Sequence, residues 1–230
     1  MKVAVLQSNY IPWKGYFDII NDVDLFVFYD EVQYTKNDWR NRNKIYSLQG
    51  LSWITVPVTY SFGQTIAETK INQESNWQKE HWDKLENAYK KAPYWNVYND
   101  FFYRLYFEEK WEFLSELNQY VIKHIASEFL KINTKFDIST NYSSHGQRAE
   151  KLLSLLQSIG TSVYISGPAA KSYLPEKEFN DAGIQVVWKD YSHYPVYKQI
   201  RAPFEHGVSI VDVLFNTGEK AGIYYKSQLS

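Results

Sequence analysis

The fold is decided by residues 2–42, KVAVLQSNYIPWKGYFDIINDVDLFVFYDEVQYTKNDWRNR. Residues 3–6 are a short apolar, β-branched run of the kind expected in a buried strand. A loop over residues 7–13 exposes Gln7, Asn9 and Tyr10 before Pro12 marks the start of a helix. Residues 24–29 predict a second strand, which ends at Asp30. The stretch is therefore one strand–helix–strand unit, and in open α/β sheets ligands bind beyond the carboxyl ends of the strands.

Strands and helices alternate along the rest of the chain. Further strands are predicted at residues 51–60, 64–71, 136–139, 161–166 and 184–188. Helices are predicted at residues 77–92, 97–107, 111–130, 146–160 and 208–215, the fourth of them ending at a glycine cap. This alternation predicts an α/β fold, with a Rossmann-like, mostly parallel sheet flanked by helices. The whole of 1–230 is interpreted as one domain, with a helix-rich insertion or second lobe at about residues 77–130.

Length and composition narrow the class of protein. The chain has 230 residues, a formal net charge of −1 and no cysteine. This length is sufficient to bury a hydrophobic core. The near-neutral net charge gives no overall electrostatic attraction to nucleic acid or to an anionic membrane. Because there is no cysteine, the fold does not depend on disulfides and is compatible with a reducing compartment. With neither a signal-peptide pattern nor a membrane-span window, we expect a cytoplasmic protein. Aromatic residues make up 18% of the chain, and they serve either the core or stacking against sugars and bases.

The common catalytic motifs are absent from the sequence. The five histidines show no metal-binding spacing, and the sequence contains no GxSxG, GxxxxGK[ST] or GxGxxG. We therefore predict no structural metal. Because Mg²⁺ needs few protein ligands, an ion held by Asp30 and substrate phosphates stays open.

Three groups of polar residues are candidates for a site. His81 precedes Trp82 on a predicted helix, where it is either a surface histidine or a general base. Arg40 and Arg42 belong either to a solvated charge run or to a carboxylate or phosphate pocket. Residues 190–199 place hydroxyls, an acid and an amide just after a strand, which is typical of a functional loop or of a Tyr- and Pro-rich turn.

The run QSNYIPWKGYF at residues 7–17 resembles the QPxYxPWxGYF opening of the WbqC-like proteins of bacterial O-antigen and polysaccharide clusters. The similarity extends over nearly the whole chain. It includes Asp30, Gln33, Lys36, Arg40, Asn41, Arg42, Trp53, His81, Ser166, Gly167, Tyr197, Gln199 and Asp212. Ser8 stands where the family usually has proline, which changes the rigidity of the loop and leaves the expected contacts intact.

This resemblance implies a transferase of surface-polysaccharide biosynthesis that moves an acyl or aminoacyl group, such as glycyl, onto an amino sugar. His81, or failing it Asp30, is expected to be the base, and the expected catalytic set also includes Lys36. The expected substrate-binding residues are Gln7, Asn9, Tyr10, Trp13, Gln33, Arg40, Asn41, Arg42, Ser166, Tyr197 and Gln199. Among them, the cations would hold a sugar-nucleotide diphosphate and the aromatic rings would stack the sugar or base.

The expected partners are a nucleotide sugar and an acyl or amino-acid donor. No cofactor is fixed by the residues; ATP or an activated acyl donor would fit, with Mg²⁺ where phosphates are handled. Nucleic acid is expected only if an aminoacyl-tRNA is the donor.

Two other hypotheses stay open. The first is a non-catalytic protein that binds carbohydrate or nucleotide sugar. The second is a nucleotidyltransferase, because residues 13–16, WKGY, occupy the place of the HxGH signature of adenylyl-transferring enzymes, although both histidines are missing.

Overall fold

The computed structural model describes residues 1–226 of the chain. Its strands are β1 (Lys2–Leu6), β2 (Leu25–Phe28), β3 (Arg42–Ser47), β4 (Gly50–Thr55), β5 (Val58–Thr59), β6 (Lys70–Ile71), β7 (Lys135–Ile138), β8 (Val163–Ser166) and β9 (Gln185–Trp188). Its α-helices are α1 (Lys14–Asn21), α2 (Trp77–Tyr89), α3 (Trp95–Phe107), α4 (Leu114–His124), α5 (Arg148–Ile159), α6 (Glu176–Asp181), α7 (Ile210–Thr217) and α8 (Ala221–Tyr224). A π-helical turn, Ile125–Phe129, continues α4, and short 3₁₀ turns occupy Ser139–Asn141, Pro168–Ser172 and Gly218–Lys220.

Five of these strands form an all-parallel sheet in the order β7-β2-β1-β8-β9. The chain builds outward from β1 to β2 and β7, then returns to the other side of β1 with β8 and β9. This reversal between β1 and β8 is the topological switch point of a Rossmann-like sheet, where a crevice opens beyond the strand ends. The α/β fold predicted from the alternating pattern is confirmed.

The two faces of the sheet bury alternate residues of each strand, as the period of two requires. Ala4 and Phe26 face a large apolar cluster that includes residues of α1, α2, α3, α4 and α7. Val5 and Val27 face a second cluster that is closed by α5 and α6. Because both faces are covered, the strands are apolar throughout, which is why runs such as LFVF at residues 25–28 mark them in the sequence.

The helical block of residues 77–130 packs into the same core as the sheet. Leu85, Phe102 and Val121, one from each of α2, α3 and α4, are fully buried in the cluster that contains Phe26. Helix α3 also contacts α7, and α2 contacts the β3–β4 pair. These helices therefore share one hydrophobic core with the sheet.

A two-stranded antiparallel ribbon, β3–β4, lies beside the sheet and differs from the predicted pattern. Residues 51–60 do not form one strand, because Pro57 lacks an N–H and separates β4 from β5. Residues 64–71 contribute only the two-residue strand β6. Strand β3 and helix α6 are absent from the elements predicted above, whereas α5 ends at Gly160 in the left-handed conformation (φ 78°), as predicted.

No helix within residues 1–226 is both apolar enough and long enough to cross a bilayer.

Candidate functional site

The loop after β1 runs over the carboxyl edge of the sheet and is held there by three hydrogen bonds to residues 39 and 43. The backbone N–H of Tyr10 donates to the carbonyl of Trp39 at 3.0 Å. The side-chain amide of Asn43 donates to the carbonyl oxygens of residues 10 and 11 at 3.1 and 2.9 Å. This bracing fixes the positions of the Gln7 and Asn9 side chains, which the sequence predicts to contact substrate.

Arg40 joins these two amides. Its Nη2 donates to Oε1 of Gln7 at 3.2 Å, and its Nη1 donates to Oδ1 of Asn9. Asp38 forms an ion pair with Arg40 at 3.6 Å, and only 16% of the Arg40 side chain is exposed. A guanidinium has five N–H donors in a planar fork that matches phosphate oxygens. The two hydrogen bonds to Gln7 and Asn9 therefore leave Arg40 with further N–H groups that could donate to a ligand. We call Gln7, Asn9 and Arg40 the Arg40 cluster.

A cleft of about 810 Å³ opens at the topological switch point, and we call it the switch-point cleft. Gln7 follows β1 and Ser166 ends β8, and both line it. The first turn of α5 borders the cleft with Arg148, and the free N–H groups there carry the positive end of the helix dipole. The full lining is Val5, Leu6, Gln7, Tyr29, Gln147, Arg148, Ala149, Glu150, Leu152, Tyr164, Ser166, Gly167, Ala169, Ala170, Tyr173, Leu174, Pro175 and Glu178.

A second cleft, of about 330 Å³, has two indole rings in its wall, and we call it the tryptophan cleft. Trp13 is held edge-on against Tyr191, with ring centroids 5.0 Å apart, and Trp39 is 43% exposed. The lining consists of Asn9, Pro12, Trp13, Trp39, Asn43 and Gly207. Such rings offer flat apolar faces to a sugar or a base, and the amides beside them offer hydrogen bonds.

The Arg40 cluster connects the two clefts. Gln7 lines the switch-point cleft and Asn9 lines the tryptophan cleft, and Arg40 is hydrogen-bonded to both. A single ligand with two bulky ends and an anionic middle would therefore meet the cleft walls at its ends and, between them, the two amides that Arg40 holds; Arg40 itself lines neither cleft.

Asp30 is buried below the loop that follows β1. Its Oδ1 accepts from the Ser8 N–H at 2.7 Å, and its Oδ2 accepts from the Gln119 amide at 2.9 Å. Burial raises the pKa of the carboxyl group, and the hydrogen bonds and the charge of Arg40 oppose that rise. Each oxygen of Asp30 thus has one donor, and the residue lines neither cleft. Residues 1–226 also bring no three His, Asp or Glu side chains together around a metal position.

His81 is buried inside the protein, so the expectation of a surface histidine on α2 is wrong. The buried face of α2 runs through Trp77, His81 and Leu85, at intervals of four residues. Nδ1 of His81 lies 2.8 Å from the Tyr10 hydroxyl, which is 2.6 Å from the Tyr106 hydroxyl. Burial lowers the pKa of His81 to about 3, so the ring is neutral at pH 7.

Neither His81 nor Tyr10 lines either cleft. Tyr10 is completely buried, so its ring has no face free to stack a sugar, contrary to the expectation. Together with Tyr106 the two side chains form a buried hydrogen-bonded cluster that ties α2 and α3 to the loop after β1.

The other predicted residues of the arginine-bearing segment lie outside the Arg40 cluster. Gln33 and Lys36 are exposed on the loop that follows β2. Asn41 is buried, and its side-chain amide donates to the Val56 carbonyl at 2.8 Å. Arg42 stacks over the ring of Trp53 at 4.3 Å, so it does not form a clamp with Arg40.

Two predicted residues from the C-terminal part belong to a separate buried network around Asp212. The Tyr197 hydroxyl donates to Oδ1 of Asp212 at 2.6 Å, and the Gln199 amide donates to the same atom at 2.8 Å. Tyr89 donates to Oδ2 of Asp212 at 3.0 Å. Neither Tyr197 nor Gln199 lines the two clefts, whereas Ser166 lines the switch-point cleft.

Two charged residues were not among the predicted site residues: Arg148, which lines the switch-point cleft, and Lys14, which is buried. Arg148 comes two residues after Gly146, at a predicted helix start, and that position could have marked it as an anion contact. Lys14 is buried with its Nζ 3.1 Å from Nδ1 of His206 and 4.8 Å from the ring centre of Tyr194. Burial lowers the pKa of Lys14 to about 8, and the charge of Asp212 opposes that shift. Its contacts come from loops some 180 or more residues away in sequence, so no local pattern signals them.

Comparison with known proteins identifies relatives along almost the whole chain. The sequence model of the WbqC-like protein family matches residues 7–224. A protein of Mycobacterium tuberculosis (strain ATCC 25618 / H37Rv), "Uncharacterized protein Rv1507c", is 45% identical over 227 residues, which cover 98% of this chain and 97% of that protein. No solved structure matches significantly.

Proposed function

Because the chain belongs to the WbqC-like protein family, we propose that it is a transferase of surface-polysaccharide biosynthesis. Its acceptor is the amino group of a nucleotide-linked amino sugar, and the group transferred is an acyl or aminoacyl group such as glycyl. One observation carries the proposal: Arg40 is hydrogen-bonded to one amide in each of the two clefts.

Each part of the nucleotide sugar is assigned to the region of the site whose side chains suit its chemistry. The diphosphate lies against the guanidinium of Arg40, because charge-assisted hydrogen bonds to phosphate are the strongest contacts available there. The nucleoside occupies the switch-point cleft, and the sugar occupies the tryptophan cleft between Trp13 and Trp39. The volumes of about 810 and 330 Å³ are within the range of small-molecule sites.

The proposed reaction forms an amide bond. The sugar nitrogen attacks the carbonyl carbon of the activated donor, a C–N bond forms, and the bond to the leaving group breaks and gives it the electron pair. The nitrogen loses one proton to a base. His81 is enclosed by aromatic residues, so we assign this role to Asp30, whose charge interacts with Arg40 and whose burial makes it a stronger base than an exposed aspartate.

A second candidate is a non-catalytic protein that binds nucleotide sugars and delivers them to another enzyme. The placement of the expected bases favours it, because neither His81 nor Asp30 lines a cleft and both have hydrogen-bond partners already. The two candidates share the same ligand and differ only in turnover.

The experiment first screens UDP- and dTDP-linked amino sugars by thermal shift, then incubates the bound sugars with acyl donors and detects products by mass spectrometry. We expect an acylated sugar with wild type, and a rate that falls about 100-fold or more with Asp30→Asn while sugar affinity stays within about threefold. Asp137→Asn is the matched control, because Asp137 also accepts several hydrogen bonds at the sheet, but from residues 138, 141 and 142 and not from the loop after β1. Binding without any product would favour the second candidate, and absence of binding would contradict both.

A further inference from the structure

The β3–β4 ribbon has a buried face and an open face. On the buried face, Ile45 and Ile54 are almost completely enclosed. On the other face, Lys44 of β3 lies opposite Trp53 of β4, and Arg42 lies one step along the same side of β3. This open face carries one large aromatic ring between cations.

Trp53 continues the wall of the tryptophan cleft. Its ring centroid is 5.6 Å from that of Trp39, with 35° between the ring planes, and Trp39 lines the cleft. The two side chains are 39% and 43% exposed. We call Trp39, Trp53 and the cations beside them the tryptophan strip, which leads from the cleft onto the surface of the ribbon.

Three cations of the strip surround Trp53. Cζ of Arg42 is 4.3 Å and Nζ of Lys44 is 5.2 Å from the ring centre, and Nζ of Lys84 donates to the Trp53 carbonyl at 3.1 Å. Among residues 1–226, no carboxylate forms an ion pair with any of these three side chains. The chain as a whole has a net charge of −1, so this positive charge is a local feature.

Exposed rings beside cations that form no ion pair match the chemistry of single-stranded nucleic acid, in which bases stack on the rings and phosphates meet the cations. The side chains of Arg42 and Lys84 donate to backbone carbonyls, which carry no charge, so a neutral sugar chain would use the rings but would leave the positive charges without an anion. We propose that the tryptophan strip binds the single-stranded 3′ end of an aminoacylated RNA, which is the donor of the transferred group; this rests on the proposed function.

The transfer from the RNA ester to the sugar amine needs no further reactant. The amine of the sugar in the tryptophan cleft attacks the ester carbonyl at the RNA terminus. A C–N bond forms, the C–O bond to the ribose breaks, and the ribose oxygen leaves with the electron pair. The proton lost by the amine reaches this oxygen through the base, so the products are an amide and an RNA with a free terminal hydroxyl.

The test measures the anisotropy of a labelled single-stranded RNA of about 12 nucleotides that ends in CCA. Wild type is compared with Trp53→Ala, with the double variant Lys44→Gln/Lys84→Gln, and with a control, Lys70→Gln/Lys171→Gln. The control removes the same charge from exposed lysines that also lie near aromatic rings, those of Phe113 and Trp188.

We expect Trp53→Ala and the strip double variant each to weaken RNA binding about tenfold or more, and the strip double variant to reduce the salt slope by about 1.4. The control is expected to stay within about threefold of wild type. Equal losses in both double variants, no RNA binding by wild type, or binding of maltohexaose in place of RNA would each overturn the proposal.

Calorimetry with the nucleotide sugar separates this inference from the proposed function. The double variant Lys44→Gln/Lys84→Gln is expected to bind the nucleotide sugar as wild type does, which also shows that it is folded. RNA binding that depends on the strip, in a protein that binds no nucleotide sugar, would support the RNA surface and contradict the proposed function.

Discussion

Trp13 packs directly over the backbone of Gly15. A Cβ atom placed on Gly15 would lie 2.3 Å from Cζ2 of the Trp13 ring, which is closer than any real contact. The absence of a side chain at residue 15 therefore allows the indole to lie back on the first turn of α1 and to form one wall of the tryptophan cleft. This contact gives a physical reason for glycine at this position.

Gly15→Ala should consequently displace the Trp13 ring and narrow or distort the tryptophan cleft. We expect the affinity for the nucleotide sugar to fall about tenfold, since a stacked aromatic contact contributes about 0.5–1.5 kcal/mol beyond area burial. Calorimetry measures the affinity, and indole fluorescence reports the ring. Gly222→Ala is the matched control, because a Cβ there meets no atom within 4 Å. Wild-type affinity in Gly15→Ala would show that Trp13 does not contact the ligand.

His81→Gln should change how stability depends on pH. The folded protein holds His81 with a pKa of about 3, whereas the unfolded chain has the ordinary value of 6.5. Between these values the unfolded state binds one more proton, so this histidine makes the free energy of unfolding fall by up to about 1.4 kcal/mol for each pH unit below 6.5. Glutamine does not titrate and still offers an acceptor to the Tyr10 hydroxyl.

The measurement is urea unfolding of wild type and His81→Gln from pH 7 to pH 4. Buried carboxyls such as Asp30 and Asp212, whose pKa is raised by burial, act in the opposite direction but are common to both proteins. We expect the wild type to lose stability relative to the variant as the pH falls. His145→Gln, at an exposed histidine, should follow wild type. Parallel curves for wild type and His81→Gln would refute a neutral, buried His81.

Lys14→Met should change how the free energy of unfolding depends on pH above about pH 8. Burial lowers the pKa of Lys14 to about 8 from its usual 10.5, so between pH 8 and 10.5 the unfolded chain holds a proton that the folded protein has released. The wild type therefore gains stability with pH in that window, by at most about 1.4 kcal/mol per unit, and methionine removes the gain.

Denaturant midpoints of wild type and Lys14→Met between pH 7 and pH 10 measure this difference. Lys177→Met, at a lysine whose side chain is 86% exposed, is the control and should show no such trend. If the stability difference between wild type and Lys14→Met stays constant over this range, the lysine is not held in the environment described.

The sheet could be predicted from the sequence because parallel strands are covered on both faces. Runs such as residues 25–28 have no polar positions, and helices with a regular apolar face separate them. In the β3–β4 ribbon, most of β4 lies within the strand predicted at residues 51–60, but β3 gave no comparable signal. Its open face carries Arg42 and Lys44, which look like a solvated charge run until Trp53 is placed opposite them.

The positions of site residues that directly follow a strand could be predicted from the sequence. The surroundings of residues buried by distant parts of the chain could not. Gln7 and Asn9 come directly after β1, and topology brings them to the carboxyl edge of the sheet. The burial of His81 could not be predicted, because its hydrogen-bond partner Tyr10 is 71 residues away in the sequence. The same holds for Lys14, which is covered by a residue 192 positions further along the chain.

The proposed role of Arg40 in holding the diphosphate is tested most directly by calorimetry of Arg40→Gln with the nucleotide sugar selected by the panel. Arg104→Gln is the matched control, because the Arg104 side chain is 54% exposed and forms an ion pair with Asp100 on its own helix. We expect Arg40→Gln to weaken binding about 10- to 100-fold, because charge-assisted hydrogen bonds of about 1.5–3 kcal/mol are lost, and Arg104→Gln to bind as wild type does. An unchanged Kd in Arg40→Gln would contradict a contact between Arg40 and the diphosphate.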